Sequence, residues 1–277
     1  DRHEIKCCVS LNMAVLEHYP EIAEAMVERD YDFMSHGIYN TRYLNTYTQD
    51  EEREFYRDNI DTLKRETGKQ LKGMLGPALS DTERTPDLMA GAGLIYHTDW
   101  VHDDQPVPIK VKSGKLISVP YSFELNDAPT FRTHYEGEYF VRMCKAQFDQ
   151  LYKEGEESWR IMCIALHPYI IGQPHRIKYL DEILSYVMSH DGVWQTTADE
   201  IAEYYIANCY ERLLADLSTS LNDLHDIDRS SRFWRILTGP WLGMFVSMAF
   251  DRWMMVEEAV SRTDLNGTIL LDGLAHA

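Results

Sequence analysis

Short apolar runs alternate along this chain with longer stretches of helical periodicity. Strand-like runs cover Ile5 to Asn12, Tyr31 to His36, Leu71 to Leu75, Leu94 to Asp99, Leu116 to Tyr121, Arg160 to Leu166 and Gly192 to Thr196. Several are unbroken, Met162 to Leu166 most clearly, and such runs suit parallel strands covered on both faces. Helices are predicted from Pro20 to about Arg29, Gln49 to Thr67, Thr85 to Ala92, Glu138 to Glu154 and Ile177 to His190. Pro20 is a favoured first helical residue. Asp50, Glu51 and Glu52 complement the dipole of the second helix, and Gly68 is placed to end it. Strand alternating with helix predicts an α/β fold, a (β/α) barrel or a doubly wound sheet. His102 to Phe131 is less regular and predicts a loop-rich excursion around one strand.

The pattern changes near residue 198. A long helix is predicted from Thr197 or Ala198, and Tyr210, Leu214, Leu217, Leu221 and Leu224 then recur at spacings of four and three. That is a helix-packing stripe. From Ser230 onward the chain is rich in Trp and Met with no strand pattern. The expected division is therefore an α/β unit over 1–206 and an α-helical appendage over 207–277. The longest charge-free apolar stretch, Ile236 to Phe250, has 15 residues and contains Pro240. It is short for a membrane span, so a buried helix is expected there.

Composition narrows the class. With 277 residues and 44% hydrophobic content the chain can bury a large core. Its net charge of -18 argues against a nucleic-acid partner, which needs clustered Lys and Arg. Cys7, Cys8, Cys144, Cys163 and Cys209 are odd in number and form no C-x-x-C pair. Reduced, buried thiols and a cytoplasmic location are the expectation. No Gly-x-Gly-x-x-Gly, phosphate-cradling Gly-Lys-Ser/Thr loop or Gly-x-Ser-x-Gly elbow occurs, which weakens dinucleotide, nucleotide and serine-hydrolase readings.

Five apolar runs exit into residues able to do chemistry: Ser35-His36-Gly37, Gly76-Pro77, Asp99-Trp100, Asn126-Asp127 and Leu166-His167-Pro168. In a barrel of parallel strands these exits converge on one mouth, which favours an enzyme over a scaffold. His36, next to a glycine, can approach a metal or substrate closely. Asn40, four residues on, shares its face if a helical turn begins there; it can bind substrate or water, but Asn is a poor zinc ligand. His167 can act as a general acid or a metal ligand. Asp99 heads an acidic group with Asp103 and Asp104, and such clusters divide acid and base roles. Trp100, Asn126 and Asp127 are candidates to line a substrate rim. Arg176 can hold a carboxylate or phosphate, with His175 beside it. Each has a bland alternative: a structural histidine, a solvated acidic turn, or a cap for the helix at Ile177.

The ordered set of Ser35-His36-Gly37-Ile38-Tyr39-Asn40, Tyr96 to Trp100, Asp103-Asp104-Gln105-Pro106, Val119-Pro120-Tyr121 with Asn126-Asp127, and Leu166-His167-Pro168-Tyr169 with Gly172 to Arg176 resembles the polysaccharide deacetylase superfamily, the NodB-homology fold. The resemblance covers about residues 1 to 206. It is strongest to the branch with cofactor-independent allantoinases and peptidoglycan-deacetylase-like proteins. It implies a distorted (β/α) barrel, often oligomeric, that hydrolyses a carbon–nitrogen bond. Typical members hold a divalent metal with one Asp and two His, use a second Asp as base, and take the acid from a late Leu-x-His. His36 matches the first metal histidine, Asn40 stands where the second would be, and His167 matches the late one. Ile5 to Asn12 resembles the second strand of the family, so a chain lacking the first strand and its acids is expected. The Arg-Pro element is also replaced, by Gly76-Pro77. Residues from about 209 to 260, with Ser231 to Leu237, Gly239 to Leu242 and Phe250 to Trp253, resemble the start of a transferase family from surface-polysaccharide gene clusters.

The expectation is thus a hydrolase of non-peptide carbon–nitrogen bonds, allantoinase-like, with His167, His36 and Asp99 catalytic. Asn40, Trp100, Asn126, Asp127, His175 and Arg176 would contact substrate. The cofactor is none, or one divalent metal such as zinc held in part by His36. The partner is a small amide or an N-acetylated sugar, bound by a homo-oligomer with no membrane span. Alternatives are a metal-dependent N-deacetylase of sugars or peptidoglycan and a non-catalytic carbohydrate-binding or assembly module.

Overall fold

Parallel strands form where several of the apolar runs predict them. The computed structural model describes residues 2–133, 136–234, 236 and 237. The chain divides into two compact units, residues 1–213 and 214–277. In the first, β1 (Cys8–Leu11), β2 (Asp32–Ser35), β3 (Gly73–Met74), β4 (Tyr96–His97), β5 (Val107–Ile109) and β6 (Leu116–Ser118) make one sheet in the order β1-β2-β3-β4-β6-β5. All neighbours pair in parallel except β5, which runs antiparallel to β6. This β5–β6 hairpin is the excursion predicted between His102 and Phe131.

The sheet separates two apolar layers because successive residues of a strand face opposite ways. Phe33 of β2 and Leu116 of β6 pack with Leu16, Phe55, Leu63 and Met89. Their neighbours Met34 and Ile117 pack on the other face with Tyr96, Ile201 and Ala202. The first layer is built by α1 (Ala14–His18), α2 (Pro20–Glu28), α3 (Gln49–Thr67) and α4 (Thr85–Gly91). The second takes its helical side from α9 (Ala198–Tyr204). A third cluster joins α6 (Gly137–Glu154) and α8 (Ile177–Met188) through Phe140, Val141, Cys144 and Ile183.

Helix α3 shows how local sequence fixes an element. Thr48 accepts from Glu51 N–H while the Glu51 carboxylate accepts from Thr48 N–H, a reciprocal capping box. Gly68 closes the other end at φ 73, a left-handed conformation that glycine adopts without strain. Between them Glu52 is buried, its carboxylate accepting from Tyr56 Oη at 3.0 Å, Thr85 Oγ1 at 2.6 Å and Arg84 Nε at 2.8 Å. That network ties α3 to α4.

Two predicted strands take another form. Arg160 to Leu166 pairs only by an isolated parallel bridge between Ala165 and Asn126, because Ala165 N–H and C=O both bond to the 125–127 backbone and nothing extends the ladder. Gly192 to Thr196 is not a strand; Gly192 has φ +76, and Gln195 is fixed by its side-chain amide on the Lys6 carbonyl instead. The expected long helix is α9, a π-helical stretch Tyr205–Tyr210, and α10 (Glu211–His225). In the second unit, Trp234 Nε1 donates to Asn222 Oδ1 at 2.8 Å. Much of the Trp- and Met-rich stretch from Ser230, including Pro240, lies outside the described residues, as does most of the predicted apolar helix Ile236 to Phe250. All five cysteines are free; Cys144 is buried, whereas Cys7 is exposed against expectation, since it precedes β1.

The α3 cap gives a direct stability test. Thr48→Ala removes one side of the capping box and should cost about 1 kcal/mol, read as a lower urea midpoint at unchanged m-value.

Candidate active site

His36 is held by its neighbours on three sides. Its N–H donates to Leu11 C=O at 2.8 Å, and Asn12 Nδ2 donates to its carbonyl at 2.6 Å. The chain turns at once through Gly37, φ +77, whose N–H donates to Ser35 Oγ; a Cβ at Gly37 would meet Pro77 Cγ at 2.9 Å. The ring therefore leaves the end of β2 in a fixed direction. Its Nδ1 lies 2.7 Å from Leu75 C=O. A carbonyl only accepts, so Nδ1 carries the proton and Nε2 is turned towards Asn40, whose side chain hydrogen-bonds the ring. Burial holds this imidazole below its ordinary pKa, offset by the Leu75 and Asn40 bonds and reinforced by charge on His167. His36 and His167 thus sense each other, and His36 is neutral at pH 7.

The other side of the same peptide belongs to Asp99. Its Oδ1 accepts from Gly76 N–H at 2.6 Å, while the preceding carbonyl, Leu75 C=O, takes His36. Gly76 is required, because a Cβ there would stand 2.3 Å from Asp99 Oδ2. Burial and the nearby Asp81 carboxylate push Asp99 up to about 9, against the pull of Gly76 N–H. Two carboxylates this close cannot both hold charge, and the more buried Asp99 keeps the proton.

His167 enters from the segment after Ala165. Asp127, fully buried, accepts from His167 Nδ1 at 2.7 Å and from its backbone N–H at 2.9 Å. Both carboxylate oxygens are spent on one residue, so the ring is fixed with Nε2 outward. Beside the pair, Asn126 caps α5 (Asp127–Arg132) through Ala128 N–H and donates from Nδ2 to Tyr121 Oη at 2.7 Å. Burial pushes Tyr121 up to about 12, and charge on Asp127 and Asp99 adds to the rise. Its hydroxyl therefore keeps a proton that the Asn126 bond does not use.

His36, Asn40, Asp99, Asp127 and His167 are thus linked around one mouth. Trp100 stands on its rim, 42% exposed, and packs at 84° to the His97 ring. Asn126 is buried and spends its side chain on the cap and on Tyr121. Arg176 lies over the Phe131 ring at 4.4 Å and donates to Ile170 C=O at 3.4 Å, and His175 is exposed. No contact links these last two to the paired histidines. Sequence reasoning missed Tyr121, Asp81 and His97. Tyr121 and His97 sit inside the motifs that carry the resemblance; Asp81 lies in the polar run Ser80-Asp81-Thr82-Glu83 and has no signal.

The metal set of typical family members does not fit the residues described at His36. One imidazole nitrogen serves a carbonyl and the other meets an amide. Among the described residues, the group of three His, Cys, Asp or Glu ligand atoms close enough for one ion is Asp81, His97 and Asp99, which does not include His36.

The first unit thus sets His36, at the exit of β2, near His167, which follows the isolated bridge at Ala165. A Schizosaccharomyces pombe protein assigned to the polysaccharide deacetylases is 32% identical over 127 residues, 40% of this chain and 39% of the relative, so the match spans about two fifths of that protein. The Helicobacter pylori peptidoglycan deacetylase is 20% identical over 229 residues, 69% of this chain and 75% of the relative. Among solved structures, the Puue allantoinase matches with TM-score 0.68 and 26% identity over 75% of this chain and 70% of that one. A Pseudomonas aeruginosa PAO1 protein assigned to the polysaccharide deacetylases gives 0.69 and 27% over the same shares. A family model described as LIC12162 family transferase matches residues 156–275. The chain is a homologue of the polysaccharide deacetylases, and its first unit has their (β/α)-barrel-like fold. The transferase match begins inside that unit, upstream of His167. Among the described residues no helix is long and apolar enough to cross a membrane.

Asp99 supplies a stability test. Its folded pKa, about 9, lies above the ordinary carboxyl value, so the folded state binds a proton that the unfolded chain sheds. Stability from this group is full below the ordinary value and declines as pH rises towards 9. In chelator-stripped protein Asp99→Asn removes that decline, so the variant's melting temperature should fall less steeply than wild type over roughly pH 5–8; equal slopes would show Asp99 charged in the folded state.

Proposed function

We propose that this chain hydrolyses a carbon–nitrogen bond in a small linear or cyclic amide, not a peptide. The observation that carries the reading is the His167–Asp127 pair set beside a neutral His36. In the mechanism, a water attacks the acetamido or ureido carbonyl. His36 and Asn40 position that water, and His167 Nε2 takes its proton as the C–O bond forms. The tetrahedral oxyanion accepts from Tyr121 O–H, and such preorganised donors supply a large part of the rate. His167 then passes the proton to the leaving nitrogen as the C–N bond breaks. Asp127 keeps Nδ1 protonated, so that Nε2 is the nitrogen that works. Asp99 holds the peptide that orients His36, through its Oδ1 on Gly76 N–H.

A second reading is N-deacetylation of a sugar or peptidoglycan unit. The names of the relatives favour it, and so does the rim: exposed Trp100 and Tyr169 flank the mouth, Tyr169 with its ring 5.6 Å from that of His167, and such rings suit stacking on a pyranose. In either case we place the protein in the cytoplasm, on its free thiols, and as a homo-oligomer, on the resemblance.

The test is ring opening of allantoin to its carboxylate, and release of acetate from N-acetylglucosamine oligomers. Wild type should turn over one class. His167→Ala should lose at least about 100-fold in kcat, the usual scale of general acid–base catalysis, and Asp127→Asn should follow it in direction. Turnover of neither class, or full activity in His167→Ala, rejects the hydrolase and leaves a binding module.

A further inference from the structure

A second cluster meets the mouth at Asp99. Asp81 follows the turn after β3, His97 ends β4, and Asp99 stands two residues further on. One ligand atom from each falls within 4.8 Å of the others. His97 is 1% exposed and Asp99 6%. Asp81 Oδ2, Asp99 Oδ2 and both nitrogens of His97 are buried without a hydrogen-bond partner. Folded interiors rarely leave so many polar atoms unpaired in one place, and each such group points to something the protein atoms do not supply.

A proton shared between the carboxylates would satisfy Asp81 and Asp99. It leaves His97 with an unmet lone pair and an unmet N–H. A cation answers the lone pair and both carboxylates at once. The spacing agrees: His97 Nδ1 and Asp81 Oδ2 are 3.3 Å apart without being hydrogen-bonded, and two ligands about 2.0–2.1 Å from one tetrahedral zinc stand about 3.3–3.4 Å from each other. The Trp100 ring, 4.9 Å from that of His97, fixes the imidazole plane. One imidazole and two carboxylates suit a first-row divalent ion.

We propose that Asp81, His97 and Asp99 bind one divalent transition-metal ion, zinc being the best match, at a position separate from His36. The ion leaves Asp99 Oδ1 on Gly76 N–H and so anchors the peptide that orients His36. This makes it a positioning site rather than the place where substrate reacts. The inference stands on the cluster alone and does not depend on the hydrolase reading.

The test is equilibrium dialysis of the full chain against zinc after stripping with chelator, repeated with cobalt to read its visible spectrum. Wild type should bind one ion per chain and gain thermal stability from it. His97→Ala and Asp81→Asn should each weaken binding at least tenfold, while His36→Ala and His167→Ala bind as wild type does. Asp81 is the less buried position, so its variant serves if His97→Ala does not fold. Failure of wild type to bind stoichiometrically overturns the proposal. So does binding that His97→Ala and Asp81→Asn leave unchanged, or binding lost in His36→Ala.

Discussion

The peptide between Leu75 and Gly76 is gripped from both ends, its carbonyl by His36 and its N–H by Asp99. The rest of the mouth depends on that grip. It sets the tautomer of His36, because a carbonyl partner demands Nδ1–H, and so decides which nitrogen meets Asn40. It also demands glycine where the neighbouring strand and its exit come close. A Cβ at Gly73 would fall 2.2 Å from the Tyr96 ring, and one at Gly76 would fall 2.3 Å from Asp99. The short β3 thus trades packing for close approach, letting Tyr96 and Asp99 of the next strand and its exit lie directly against its backbone.

The buried acids divide by how they are satisfied. Glu52 receives three donors and Asp127 receives two from His167 alone. Asp199 accepts from Tyr96 Oη at 2.6 Å and lies 3.6 Å from Lys72 Nζ. Glu52 ties α3 to α4, Asp127 fixes His167, and Asp199 joins α9 to β4. Asp99 has a donor on one oxygen only, and its other oxygen faces Asp81. Incomplete satisfaction is costly in a protein interior, and its confinement to the strand exits separates groups that hold the fold from groups kept open for chemistry.

The sequence made the strand exits visible because β2 and β4 are apolar runs broken abruptly by His36 and Asp99. Helix α3 was equally legible: its acidic first turn and terminal glycine are local signals, and both act where expected. What was not legible depends on long-range placement. Asp81 looks like one more polar residue of a turn until the fold brings it beside His97 and Asp99. Arg160 to Leu166 has the composition of a buried strand, but pairing depends on what lies alongside, and among the described residues its bridge partner is confined to Ala165. Asn126 and Arg176 carry the right chemistry for a rim; packing spends one on a cap and Tyr121 and lays the other on Phe131.

Asn40 is where this site departs from the histidine pair of typical deacetylases. An amide does not titrate, carries no charge and is a weak ligand for zinc. Paired with it, His36 cannot share an ion as two imidazoles would, and its buried ring stays neutral across the physiological range. A neutral imidazole fixed through Nδ1 and an amide beside Nε2 can orient a water, but neither is a strong base. In the proposed reaction proton transfer falls to His167, whose Asp127 partner keeps Nδ1–H in place and would stabilise the imidazolium as it forms. On that proposal, replacing one imidazole by an amide moves the chemical load from the first histidine to the last. That matches what the structure invests in each: His167 is secured by both oxygens of a fully buried acid, His36 by backbone and amide alone.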